Sequence, residues 1–163
     1  RGGHKTLLVD ADLRRPSAHR LFDLPGEPGL GELLRGEAAV ADAVQPTRVS
    51  RLWLVPAGSG DGHTPQALAQ EGVEQIFEEL RGQFDYVVLD ACPVLPVADA
   101  LLLARHADGV ILSVLRDASR LPRLHAACQR LAMLGVRVLG AVVSGARGDA
   151  YTATYHDRTH AAR

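Results

Sequence analysis

The chain has 163 residues, 47% hydrophobic and 23% charged, the size of one ordinary domain with enough apolar content for a buried core. Its 18 basic and 19 acidic residues leave a net charge of −1, which excludes a basic nucleic-acid coat or an acidic tail as the main theme. No apolar run approaches the roughly 20 residues of a membrane helix, and two cysteines, Cys92 and Cys128, are too few for a disulfide scaffold and fit a reduced, cytosolic setting.

The chain opens on Arg1 rather than Met, within a few residues of a strand, so a piece of a longer protein is expected. Thr6-Leu7-Leu8-Val9 is a short apolar run ending in Asp10 and reads as a buried strand. A polar loop with Arg14-Arg15-Pro16 follows. Ser17 offers a helix start, and His19 to Phe22 a short helical turn. Pro25-Gly26-Glu27-Pro28-Gly29 punctuates a loop, and Leu30–Leu34 and Val40–Val44 read as short helical pieces separated by Gly36. Leu52–Val55 is a second strand, stopped by Pro56-Ala57-Gly58 and followed by a Gly-rich loop to Pro65.

Gln66–Leu80 is a predicted helix, with apolar residues at helical spacing from Val73 onward. Tyr86–Asp90 is a third strand with a carboxylate at its end. Val97–Arg105 is predicted helical, Gly109–Leu115 a fourth strand, Arg120–Leu134 a helix and Val136–Val143 a fifth strand. After Ser144 the chain turns polar and loses periodicity. Residues 1–145 are therefore expected to form the folded domain and 146–163 a flexible tail. The alternation predicts an α/β fold with a mostly parallel sheet and helices on both faces. Ligands of such sheets bind outside the carboxyl ends of the strands.

At the first strand end stand Asp10 and Asp12. Two carboxylates so close are poorly tolerated unless a cation or proton shares the site, and Mg²⁺ is the natural partner. A solvated loop with an N-cap aspartate is the equally weighted reading. The third strand runs four apolar residues into Asp90, the Walker B pattern in which a carboxylate serves a Mg²⁺-nucleotide. Together the three carboxylates are expected to converge on one crevice. The chain has no G-x-x-x-x-G-K-[ST] phosphate cradle. Gly2-Gly3-His4-Lys5-Thr6 imitates the end of one, but a P-loop Lys-Thr opens a helix and Thr6 opens a strand.

Arg14, Arg15 and Arg20 read either as a phosphate clamp or subunit contact, or as a solvated basic loop. Arg116, after the fourth strand, is placed to approach a nucleotide or to lie on the surface. Asp99 is expected to cap or brace its own helix. Trp53 and Tyr86 are expected to be structural, and Cys92 a buried, inert thiol or a redox-sensitive one.

Lys5 to Pro16, Lys-Thr-Leu-Leu-Val-Asp-Ala-Asp-Leu-Arg-Arg-Pro, resembles the Walker A′ segment of the bacterial tyrosine kinases of capsular and exopolysaccharide synthesis. These kinases are themselves similar to the deviant-Walker ATPases of cell division and plasmid partition. The resemblance continues through Gly29–Gly36, Leu54–Gly58, Phe84–Asp90, Pro93-Val94-Leu95, Ala98-Asp99-Ala100, Ala107–Val110 and Val138–Val143, in order and over nearly the whole chain. Cys92 stands where the family usually has Pro, and Ser144 where it usually has an adenine-proximal Asn.

The resemblance implies a P-loop NTPase-like three-layer sandwich whose first βα unit, with its Walker A loop, precedes Arg1. It implies ATP and Mg²⁺ as cofactors. Asp10 would orient or deprotonate the attacking hydroxyl, and Asp12 and Asp90 would serve Mg²⁺ directly or through water. Arg116 and Ser144 are the weaker candidates for contacting nucleotide, and Tyr151 and Tyr155 stand where the family carries its phospho-acceptors. The implied function is a tyrosine autokinase domain regulating polysaccharide chain length or export. Its implied place is the cytoplasmic face of the plasma membrane, as a homo-oligomer with a fused or separate membrane-spanning chain-length protein and without nucleic acid. A deviant-Walker ATPase that phosphorylates nothing, or an inactive regulatory module, are the alternatives.

Overall fold

In the computed structural model of the chain, residues 3–60, 67–68 and 72–145 are described. The chain divides into two compact units, Arg1–Ala107 and Asp108–Arg163. The first holds a four-stranded sheet in the order β2-β3-β1-β4, built from β1 (Thr6–Ala11), β2 (Gln45–Pro46), β3 (Leu52–Val55) and β4 (Tyr86–Ala91). Strand β1 runs parallel to both β3 and β4, so that Leu8 lies opposite Leu54 and Val88, and Asp10 opposite Asp90.

The pattern along β1 explains its central place. Leu7, Val9 and Ala11 point to one face and are at most 2% exposed. They join the core formed with α2 (Leu30–Arg35), α3 (Val40–Ala43) and α4 (Gly72–Gln83). Helix α4 inserts Val73, Phe77 and Leu80, a spacing of four and then three residues that keeps them on one face. Each such side chain contributes about 1.5–3 kcal/mol of burial. The predicted start of this helix, Gln66, lies outside the described residues.

Strand β2 is antiparallel to β3 and was not anticipated. The helix predicted over Val40–Val44 stops at Ala43, with Val44 already extended. Pro46 biases the preceding residue away from helical geometry, and an edge strand is where a proline lacking an N–H is tolerated. Two short helices complete the first unit, α1 (Ala18–Phe22) and α5 (Asp99–Ala104).

The second unit pairs β5 (Val110–Leu115) with β6 (Val138–Ser144) in parallel, connected through α6 (Leu121–Met133). Pro122 sits in the first turn of α6, where its missing N–H costs nothing. Leu112 of β5 and Ala127 and Leu131 of α6 are buried. The architecture is the expected α/β one: a mostly parallel arrangement with helices between the strands.

Candidate active site at the carboxyl ends of β1 and β4

Strand β1 ends in Asp10-Ala11 and β4 in Asp90-Ala91, paired in register. Their carboxylates therefore leave adjacent strands at the same level. Asp10 is buried, 1% exposed. Its Oδ2 accepts the backbone N–H of Ser17 at 2.9 Å and of Ala18 at 2.8 Å. It thereby takes over the cap of α1, for which Ser17 provides no side-chain bond. Asp12, just beyond β1, turns its Oδ1 onto the N–H groups of Arg14 at 3.2 Å and Arg15 at 3.0 Å. Each aspartate thus spends one oxygen on fixing the loop. The solvated loop with an N-cap aspartate is corrected: Asp10 is buried in β1 and reaches the start of α1 from there, while Ser17 holds the N-cap position.

Asp90 differs. No hydrogen bond among the described residues engages its carboxylate. The surrounding protein pushes the Asp90 carboxyl above the ordinary carboxylate range first by burial, although the side chain is partly open to solvent, and then by the negative charges of Asp10 and Asp12. Asp10 and Asp90 stand opposite each other at the ends of adjacent strands, with Asp12 two residues beyond Asp10. Among the described residues no three His, Cys, Asp or Glu side chains close around a metal ion by themselves. An Mg²⁺ held by one or two carboxylates and completed by water and phosphate oxygens fits this donor set, because Mg²⁺ sheds its water reluctantly.

The arginines distribute themselves by partner. Arg14 donates from Nε at 2.7 Å and Nη2 at 3.3 Å to the carboxylate of Asp99, and this bond holds its guanidinium above the ordinary range. Asp99 is 2% exposed and opens α5. The expectation that it caps or braces its own helix is corrected. Its carboxylate leaves the helix for a residue 85 positions away, because a buried charge needs a charged, hydrogen-bonding partner more than a short helix needs a cap. Arg14 is accordingly an exposed loop residue whose guanidinium is committed to Asp99. Arg20 donates to the carbonyl of Pro16 at 2.8 Å, and Arg15 is exposed.

A second carboxylate cluster went unrecognised in the sequence. Glu32 accepts N–H groups from Gly29 at 2.8 Å and Ser59 at 2.9 Å, the hydroxyl of Ser59, and Arg35 at 3.0 Å. Burial alone would push its carboxyl up, but the hydroxyl and N–H of Ser59 and the N–H of Gly29 outweigh it and hold the carboxyl at about 2. The loop after β3 is thereby tied to α2, which also donates from Leu30 and Gly31 to the carbonyls of Pro56 and Ala57. A glutamate three residues into a helix is a legible capping signal. Its bond to Ser59, 27 residues on, is not.

Thr6 opens β1, so Gly3-His4-Lys5-Thr6 introduces a strand and not a phosphate-binding helix. Cys92 is buried and its thiol is pushed up, mainly by that burial, the environment of an inert thiol. Tyr86 is exposed and meets His4 edge-on, while Trp53 packs against the core. In the second unit Arg116 and Ser144 come together at the ends of β5 and β6, where the Arg116 N–H donates to the Ser144 carbonyl at 3.0 Å. Tyr151 and Tyr155, and the predicted tail, lie outside the described residues. No helix among the described residues is long and apolar enough to cross a membrane.

No family model matches the chain. The tyrosine-protein kinase YwqD of Bacillus subtilis (strain 168) is 31% identical over 143 residues, 88% of this chain and 60% of that protein. The succinoglycan biosynthesis transport protein ExoP of Rhizobium meliloti (strain 1021) is 34% identical over 149 residues, 87% of this chain and 18% of that protein. The chain therefore spans about three-fifths of the one relative and under a fifth of the other. Among solved structures, the kinase domain of the Escherichia coli tyrosine kinase ETK superposes with a TM-score of 0.82 at 28% identity, covering 88% of this chain and 58% of that one. The septum site-determining protein MinD of Pyrococcus horikoshii OT3, complexed with Mg-ADP, superposes at 0.72 with 22% identity, covering 90% of this chain and 60% of that one. The fold is thus that of the P-loop NTPases.

Proposed function

This chain is a homologue of the bacterial tyrosine-protein kinases, and on that premise we propose that it is the part of an ATP-dependent tyrosine autokinase that carries the acidic side of the active site. The observation that carries the reading is the in-register pair Asp10 and Asp90 with Asp12 beside it. Two of these groups are anchored through one oxygen each, and the third is left without a hydrogen bond among the described residues.

In this reading Asp10 orients the attacking tyrosine hydroxyl and accepts its proton. The hydroxyl oxygen forms a bond to the γ-phosphorus as the bond to the ADP oxygen breaks. Burial and the two N–H groups on Oδ2 hold Asp10 in one orientation, so no reorganisation is needed at the moment of reaction. Asp12 and Asp90 would hold Mg²⁺ directly or through water. The ion, when bound, neutralises charge on the phosphates. Tyr151 and Tyr155 of a neighbouring subunit are the acceptors, and their phosphorylation adds charge and strong acceptor oxygens. Arg116 and Ser144 are the candidates for touching the nucleotide.

The whole protein would act at the cytoplasmic face of the plasma membrane, as a homo-oligomer with a membrane-spanning polysaccharide chain-length protein, fused or separate. Export of a polysaccharide of controlled length is the process it would regulate. The test uses the whole protein with Mg-ATP. Phosphotyrosine should form, should fall by about 10²–10⁴-fold in Asp10→Asn, and should vanish in the double variant Tyr151→Phe, Tyr155→Phe. A second reading, an ATPase that phosphorylates nothing, is favoured by the presence of only those two tyrosines after Ser144. It predicts ATP turnover without phosphotyrosine, unchanged by the double variant.

A further inference from the structure

Only two charged side chains are buried among the described residues, Asp10 and Asp99. The reading above uses the first. The second sits on a different segment, at the start of the helix that follows β4, and reaches the loop that follows β1. The segments it connects follow the strands that carry the acidic groups: Asp10 near the end of β1 with Asp12 in the loop after it, and Asp90 near the end of β4.

The geometry points to Asp99 as a positioning residue for the cation-binding carboxylate Asp12, acting through Arg14. The chain of contacts is short. Asp99 accepts Nε and Nη2 of Arg14, the planar fork that fixes a guanidinium in direction as well as distance. The backbone N–H of the same arginine donates to Asp12 Oδ1 at 3.2 Å, and that of Arg15 to the same oxygen at 3.0 Å. Asp99 therefore holds Arg14, and Arg14 holds Asp12. The other Asp12 oxygen is left free of protein hydrogen bonds among the described residues. The guanidinium is about half exposed while its partner is 3% exposed, so the buried carboxylate is the fixed end and the loop is what it restrains.

The catalytic consequence rests on the phosphoryl-transfer reading, whereas the restraint of the loop does not, and two measurements on the whole protein keep them apart. The first is amide hydrogen exchange. Asp99→Asn should speed exchange at the Arg14, Arg15, Ser17 and Ala18 amides at least tenfold while the amides of β1 and β4 keep their rates, since local opening and global unfolding are separable by exchange. Arg14→Gln, which removes the same pair from its half-exposed end, should do the same, and the double variant should add little to either single one. The second is the Mg²⁺ dependence of ATP turnover. Both variants should raise the Mg²⁺ concentration for half-maximal rate by about tenfold with a smaller change in the rate at saturation. Unchanged exchange at the four amides in both variants, or a rise shared evenly by the whole unit, overturns the positioning role. Altered local exchange with an unchanged Mg²⁺ requirement also overturns it, leaving only a brace. Absence of turnover in the unmodified protein sinks the phosphoryl-transfer reading, and the exchange result then still decides whether Asp99 restrains the loop.

Discussion

Glu32 and Asp90 are both carboxylates near the carboxyl ends of parallel strands, and the protein treats them in opposite ways. Around Glu32 the loop after β3 supplies a hydroxyl and an N–H, α2 supplies another N–H, and Arg35 adds a cation, so the carboxyl is held at about 2. Around Asp90 there are two further aspartates, no donor among the described residues, and a carboxyl pushed up. A saturated carboxylate is a structural pin with nothing left to bind. An unsaturated one in a crowd of like charges is costly, and it makes sense where a cation or proton arrives to relieve it.

The comparison breaks most visibly in activity. In the whole protein Asp12→Asn, like Asp10→Asn, should cut phosphotyrosine formation by about 10²–10⁴-fold, measured as initial rate. Either asparagine can still accept the loop's N–H groups, so the melting temperature should move little. A rate within a few-fold of the original would remove these residues from the active site. Glu32→Ala should do the reverse, costing about 2–3 kcal/mol of stability for the loss of several bonds to a charged group, measured by urea unfolding. Gly58→Ala should hurt the same pin from the other side. Its φ of +78° suits glycine, and a Cβ there would collide with the Glu32 carboxylate.

The pH dependence separates the two groups by sign. Glu32 has its folded value lowered from 4.5 to about 2. Its contribution is fully present above the ordinary carboxylate range and is lost as the pH falls toward about 2. The stability difference between the unaltered protein and Glu32→Ala should therefore shrink across that acid window. Asp90 has its folded value raised, so its ionisation opposes folding and the penalty grows as the pH rises through that value. In metal-free protein Asp90→Asn should add stability, by under about 1 kcal/mol because the group is partly solvated. It should also abolish the extra stabilisation by Mg²⁺ with nucleotide. A destabilised, still Mg²⁺-responsive Asp90→Asn protein would contradict the reading of Asp90 as an open ligand.

Much of this was legible before any fold was known. The apolar runs ending in Asp10 and Asp90 located two strand ends, and their spacing from helices predicted a parallel sheet that would bring those ends together. The motif around Asp10 and Asp12 carried the family resemblance. Missed were the antiparallel edge strand at Gln45–Pro46, the partner of Asp99 and the pin at Glu32.

The residue order by itself determined the strands and helices other than the edge strand Gln45–Pro46, because hydrophobic periodicity and proline or glycine punctuation act over a few neighbouring residues. It also determined that acidic groups stand at the ends of β1 and β4. Which carboxylate is saturated, which is left open and which reaches across to hold a loop was decided only by tertiary structure. Asp99 meets Arg14 across 85 positions and Glu32 meets Ser59 across 27. Such choices follow from the cost of burying a charge, and that cost is set by whichever elements the fold packs around it.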